Sequence, residues 1–170
     1  MDQWFLARPT SARISPKRAY QGFSLIEAIV VVALVAILAS LAAPMFTGAI
    51  ANQRVRSAAQ ELQTLLQFAR AEAVYKRKQI TVVPSASQKW QARDSIAVLR
   101  EVALPEVVSV EPVSDNGVVF SVEGQAKPVS GTAPYKISIS ATNASRMQCL
   151  SVIGTGLVRL ESIASGQTCS

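Results

Sequence analysis

The 170-residue chain contains no histidine. A histidine general base, a Ser-His-Asp arrangement and a histidine-ligated metal are therefore all excluded. Charge is also sparse, with Asp, Glu, Lys and Arg making up 16% of the residues. The 11 carboxylates are scattered singly along the chain, without the motif-spaced pair that general acid–base work needs. Aromatic residues reach only 6%, and of the two tryptophans Trp4 stands near the start and Trp90 stands alone, which makes no platform for stacking bases. Gly-x-Gly occurs once, at Gly154-Thr155-Gly156. It lies between two predicted strands and not ahead of a helix, so it reads as a hairpin turn and not as a phosphate cradle. These absences argue against an enzyme, and no catalytic residue, metal site or cofactor is expected.

What the sequence does have is one long apolar run, 22–44, around which the rest is organised. Between Gln21 and Gln53 the sole ionisable side chain is Glu27, and residues 28–39 are unbroken apolar sequence. A hydrocarbon layer about 30 Å thick is crossed by roughly 20 apolar helical residues, so this segment is expected to span a membrane. A carboxylate in such a span costs roughly 2.5 to 3.5 kcal/mol at its centre, which marks Glu27 as functional. In the first turns of a helix the dipole offsets roughly 0.3 to 1 kcal/mol of that cost.

The 22 residues before the run carry Arg8, Arg13, Lys17 and Arg18 against Asp2, a charge of +3 out of the chain's +6. The remainder therefore also sums to +3, and the basic balance is weak evidence for nucleic acid. Basic residues ahead of the span place the start of the chain in the cytoplasm and the bulk outside it. A secretory signal loses its apolar core on cleavage; here the apolar run follows the basic segment.

Pro44 interrupts the helical pattern by removing a backbone donor and crowding the carbonyl of Ser40, a defect of roughly 3 kcal/mol in a helix interior. Either the span ends there or the helix kinks, and the kink is favoured because the pattern resumes. Val55, Ala58, Ala59, Leu62, Leu65, Leu66, Ala69 and Ala73 recur at three- and four-residue spacing, the stripe of an amphipathic helix resting on a globular domain. Lys76-Arg77-Lys78 closes it, cations at the negative end of the dipole. The period then changes. Short alternating runs at 79–83, 95–100, 106–110, 117–122, 135–140, 148–153 and 157–161 are separated by turn residues, and Pro84-Ser85 stops the first. The fold class expected is α+β: a long N-terminal helix, membrane-spanning in its first half, packed on a C-terminal antiparallel domain of two small sheets. The divisions are 1–22 leader, 23–51 membrane half, 52–78 amphipathic half and 79–170 β-rich domain.

Cys149 and Cys169 are the only cysteines. In a domain outside the cytoplasm such a pair reads as a disulfide and not as a ligand set.

The hexapeptide Gly22-Phe23-Ser24-Leu25-Ile26-Glu27 resembles the processing site of type IV prepilins, G-F-[ST]-L-[IVL]-E. The resemblance implies that a prepilin peptidase cuts between Gly22 and Phe23 and that Phe23 is then N-methylated. Glu27 becomes the fifth mature residue and pairs with the N-terminal amine of a neighbouring subunit. The family also carries a proline where Pro44 stands. The later sequence resembles the GspH/FimT-like group of minor pilins and pseudopilins. The matching pieces are Leu62 to Ala73, close to L-x-x-x-L-x-x-A-R-x-E-A; Gly117-Val118-Val119-Phe120; and the block from Cys149 to Arg159. That likeness implies a subunit present in few copies that primes assembly near a filament tip. Its partners would be other minor pilins or pseudopilins, the major subunit and the inner-membrane assembly platform, with the C-terminal domain in the periplasm. The machine is a type IV pilus or a type II secretion pseudopilus, and the cysteine pair looks more like the pilus branch. A third reading is a DNA receptor. The group's DNA-binding G-R-x-R loop corresponds to Gly156-Leu157-Val158-Arg159, where the first arginine is missing; Arg159 alone reads more simply as a solvated strand residue.

Overall fold

The computed structural model describes residues 23–86, 88–113, 116–131 and 133–169, leaving aside the side chains of 42–45. The leader 1–22, with Gly22, lies outside the described residues. Helix α1 runs Leu25–Lys76, within two residues of the predicted limits at each end. The Ser24 hydroxyl accepts the Ile26 N–H, an N-cap that satisfies one of the end's unpaired donors, and the Ser24 carbonyl accepts the Ala28 N–H as the first bond of the helix. At the other end Arg77 turns left-handed, with φ 52°, and the Lys78 N–H reaches back to the Ala73 carbonyl.

The chain divides into two compact units, residues 1–40 and 41–170. In the first, every described large hydrophobic from Phe23 to Ile37 is at least half exposed. Such a continuous bare apolar surface requires cover, by lipid or by other helices. Taken separately, neither Leu25–Leu41 nor Phe46–Lys76 is long and apolar enough to cross a membrane; by length and composition the two together are.

In the second unit the helix carries the core. All eight stripe residues predicted from the spacing are buried, as is Ala51. Two antiparallel sheets pack against that stripe in one hydrophobic cluster. The first has order β3-β2-β1-β5-β6, from β1 (Ile80–Ala86), β2 (Lys89–Arg93), β3 (Val98–Ala103), β5 (Val118–Phe120) and β6 (Ala126–Pro128). The second has order β4-β7-β8-β9, from β4 (Val108–Pro112), β7 (Tyr135–Ala141), β8 (Arg146–Val152) and β9 (Val158–Ala164). Arg100 on β3 lies over the ring of Phe68 on α1, 5.5 Å from its centroid.

Three strand expectations are corrected. The first strand does not stop at Pro84 but continues to Ala86, with Pro84 opposite Trp90. Pairing of β1 with β5 ends at Val82, so Pro84 has a neighbour on one side only, where its missing donor costs little. Strands β2 and β6 were not expected. In β2, Trp90 and Ala92 are buried in alternation with exposed ends, and Trp90 is a core residue.

Alternation fixes the faces of the second sheet. Leu150 and Val152 belong to the core and pair with Ile137 and Tyr135, respectively, on one side and with Leu160 and Val158 on the other. Met147 and Cys149 point to the opposite face, yet both are buried outside the main core. There Cys149 bonds to Cys169, with Cα atoms 5.6 Å apart, and the Cys169 sulfur lies near the Ile137 carbonyl. The tail after β9 thus folds back across β8 towards β7, held also by Ser165 N–H donating to the Ser145 carbonyl.

Candidate functional site

The residues singled out in the sequence fall into two groups. At the head of α1, Phe23 is 84% exposed and Glu27 stands exposed in the first helical turn. Both are free to meet another molecule. Pro44 lies within the helical span Leu25–Lys76, and its side chain is outside the described residues. At the other end of the chain the two cysteines are joined, as expected.

Arg159 is exposed on β9 opposite Ser151, which in turn is opposite Lys136 on β7. These three make a row across the outer face, and the next row is Ser138, Cys149 and Glu161. A carboxylate therefore stands two residues from Arg159 on the same face, which weakens any pull on a phosphate backbone. Gly156 lies in the β8–β9 hairpin turn, where the Gly156 N–H donates to the Ile153 carbonyl. Gly154-Thr155-Gly156 is a hairpin turn, as the sequence predicts.

Arg70 is the residue that sequence reasoning passed over. It sits on the helix among polar positions, half-buried, and its guanidinium joins two turns. Its Nε donates to the Gly124 carbonyl and its terminal nitrogen to the Thr155 carbonyl, each at 3.0 Å. Between those turns the Ala126 N–H donates to the Gly154 carbonyl. Helix, first sheet and second sheet thus meet at one guanidinium. Gly124 and Gly156 have φ of 77° and 78°, a left-handed region that favours glycine. A Cβ at Gly156 would collide with the Gly124 carbonyl and come within 2.8 Å of Arg70 Nε. The signal available in the sequence was the A-R-x-E-A block itself, which holds Arg70. Its Glu72 pairs with Lys76 one turn on at 2.7 Å and, chiefly through that hydrogen bond, holds the Lys76 ammonium above its usual value.

A second place escaped notice because it is polar. Between α1 and β8–β9 runs a groove of about 530 Å³ lined by Arg56, Gln60, Arg146, Gln148 and Ser162. Asn52 fixes one wall: its amide donates to the Ser145 hydroxyl at 3.0 Å and accepts the Arg146 N–H at 3.1 Å. Elsewhere, Asp94 accepts the N–H groups of Ile96 and Ala97, each at 2.7 Å. Those donors, the Ala97 N–H foremost, hold its carboxyl below the usual range. On β2 and β3 the Glu101 carboxyl is likewise held down by the Gln91 amide and then by Lys89. Among the described residues no three His, Cys, Asp or Glu side chains gather to hold a metal.

The chain is similar to known proteins in sequence and in fold. The sequence model of the family described as type II transport protein GspH matches residues 58–156, more than half of the chain. The prokaryotic N-terminal methylation motif matches residues 17–43. Type II secretion system protein H of Xanthomonas campestris pv. campestris is 32% identical over 88 residues, which take in 51% of this chain and 52% of that protein. The chain therefore spans about half the length of the curated relative it matches. Among solved structures, the type IV minor pilin FimU of Pseudomonas aeruginosa superposes with a TM-score of 0.57 at 22% identity, over 69% of this chain and 96% of that one. The minor pseudopilin EpsH from the type 2 secretion system of Vibrio cholerae gives 0.50 at 13% identity, over 67% and 99%. At such identities these two structures speak for a shared fold: a helix packed on antiparallel sheets.

Proposed function

Since this chain belongs to the GspH family of type II transport proteins, we propose that it is a minor subunit of a pilin-like filament, anchored in a membrane until assembly. The observation that carries this reading is the pairing, on one chain, of a methylation motif over 17–43 with a domain of the GspH type over 58–156. Leader removal by a prepilin peptidase between Gly22 and Phe23 gives the chain a new amine beside Glu27. A buried carboxylate is tolerable when an opposite charge neutralises it, and the amine of an adjoining subunit supplies one. Before assembly the apolar helix lies in the inner membrane with the domain in the periplasm; afterwards neighbouring helices cover it. The subunit acts near the filament tip, with other minor subunits, the major subunit and the inner-membrane platform as partners.

The favoured machine is a type IV pilus, on the strength of the disulfide-closed C-terminus; the alternative is the H-type pseudopilin of type II secretion. A strain deleted for this gene separates them. Loss of surface pili with exoprotein secretion intact is expected, and loss of secretion with normal pili assigns the chain to the pseudopilus. The DNA-receptor reading rests on Arg159 alone and is not adopted.

A further inference from the structure

The groove between α1 and β8–β9 has an uncommon floor. Gln148 is 9% exposed and lines the groove. It points to the helix side of the sheet, opposite Ile139 on β7 and Ser162 on β9, where an apolar residue would be ordinary. Above it stand Arg56 and Arg146, both exposed and neither paired with a carboxylate among the described residues. No acidic residue lines the groove. The lining is thus rich in donors: two guanidiniums, the amides of Gln60 and Gln148, and the Ser162 hydroxyl. That set matches a carboxylate, whose oxygens accept several hydrogen bonds at once.

Position along the helix points to who brings it. Ala49, Gln53, Arg56 and Gln60 follow one another at three- and four-residue spacing along the groove wall, one face of the helix. At the start of that row stand Phe46, 63% exposed, and Ile50, 50% exposed. The bare apolar surface of Phe46 and Ile50 therefore borders the groove, and whatever covers these two side chains reaches it.

We propose that this groove is the seat for an acidic side chain of the adjoining subunit in the filament, its carboxylate held between Arg56 and Arg146 with the Gln148 amide beneath. The proposal rests on the assembly reading above. It adds a charge contact within the globular domain, separate from that of Glu27.

The test uses the full chain in cells that build the filament, reading leader removal, melting temperature and recovery in sheared filaments. Arg56→Glu with Arg146→Glu is expected to be processed and folded but recovered about thirtyfold less, which is about 2 kcal/mol at 1.4 per tenfold. Arg54→Glu, an exposed arginine outside the groove, leaves recovery unchanged. Gln148→Leu, which takes the amide out of the groove floor, is processed and folded and yet lowers recovery. A photo-crosslinker at Gln60 yields a peptide of a pilin-like subunit containing Asp or Glu. Normal recovery of the double variant, or crosslinks to lipid or to peptides without an acid, overturns the groove proposal and leaves the assembly reading standing. An unaltered chain that keeps its leader, or never enters filaments, overturns both.

Discussion

Replacing Arg70 by alanine isolates the junction at which the helix and both sheets meet. The substitution removes two hydrogen bonds from a charged donor to backbone carbonyls, one part-buried and one exposed. Bonds to charged groups contribute about 1.5–3 kcal/mol each. The exposed one competes with water and counts for roughly 0.5 kcal/mol. The expected loss is therefore about 2–3.5 kcal/mol, a large share of the 5–15 or so that stabilises a domain. For a chain of this size it corresponds to a fall in Tm of roughly 6–12 °C. Arg70→Lys keeps the charge, but one ammonium on a flexible stem does not reproduce the two-pronged fork, and it recovers less than half of the loss. Gly156→Ala pushes a Cβ into the Gly124 carbonyl and Arg70 Nε, so it already disrupts the bonds that Arg70→Ala removes. The two substitutions together should cost at least about 1 kcal/mol less than the sum of each alone. Urea unfolding of a chain beginning at Phe23, held in detergent and followed by the fluorescence of buried Trp90, measures all four. An Arg70→Ala unfolding free energy within about 0.5 kcal/mol of the parent's, or strict additivity with Gly156→Ala, would refute the reasoning.

Other expectations are simpler to state. Reducing the disulfide, or replacing both cysteines by alanine, opens a loop of 20 residues and lowers stability by about 3 kcal/mol in the chain-entropy model; proteolysis should then begin in the residues after β9. Glu27→Val should still lose its leader but enter filaments poorly, and normal incorporation on immunoblots of sheared filaments contradicts the charge pairing. Gly22→Ala should keep the leader attached, and an intact mass lacking residues 1–22 would sink the assignment of the scissile bond. Because the Asp94 carboxyl is held below its ordinary value of 3.8, its stabilisation of the turn before β3 is complete above that value and disappears as pH falls through the lower folded one. Protection of the Ile96 and Ala97 amides, taken relative to their intrinsic exchange rates, should fall in that acid range alone, and Asp94→Asn should abolish that pH dependence.

Much of this architecture is legible in the sequence because it is periodic. Helix residues Val55 to Ala73 recur at one spacing and are buried to the last member. Strand β7 alternates cleanly, with Tyr135, Ile137 and Ile139 inside. Strand β2 hides because it is five residues long, with Lys89 and Arg93 at its ends and only Trp90 and Ala92 facing in. Strand β6 is three residues and ends on a proline, so no period can establish itself. The polar features were the hardest to read. Nothing near Arg70 in sequence reveals that turns 54 and 85 residues away will arrive over it. Gln148 occupies a core-facing register position that the alternation of β8 would assign to an apolar residue. Cys149 and Cys169, by contrast, were found by counting.

The helix meets its domain through small and branched apolar side chains, a surface with little resistance to axial slip, since a shift by one turn sets leucine and alanine against similar neighbours. Two polar contacts break that degeneracy. Asn52 grips the start of β8, and Arg70, 18 residues further along, grips the two turns; at 1.5 Å per residue they are about 27 Å apart. They act as dowels at either end of a smooth bearing. A load applied along the helix between Asn52 and Arg70 is carried into the sheets at both places, and that stretch keeps a single register on its domain.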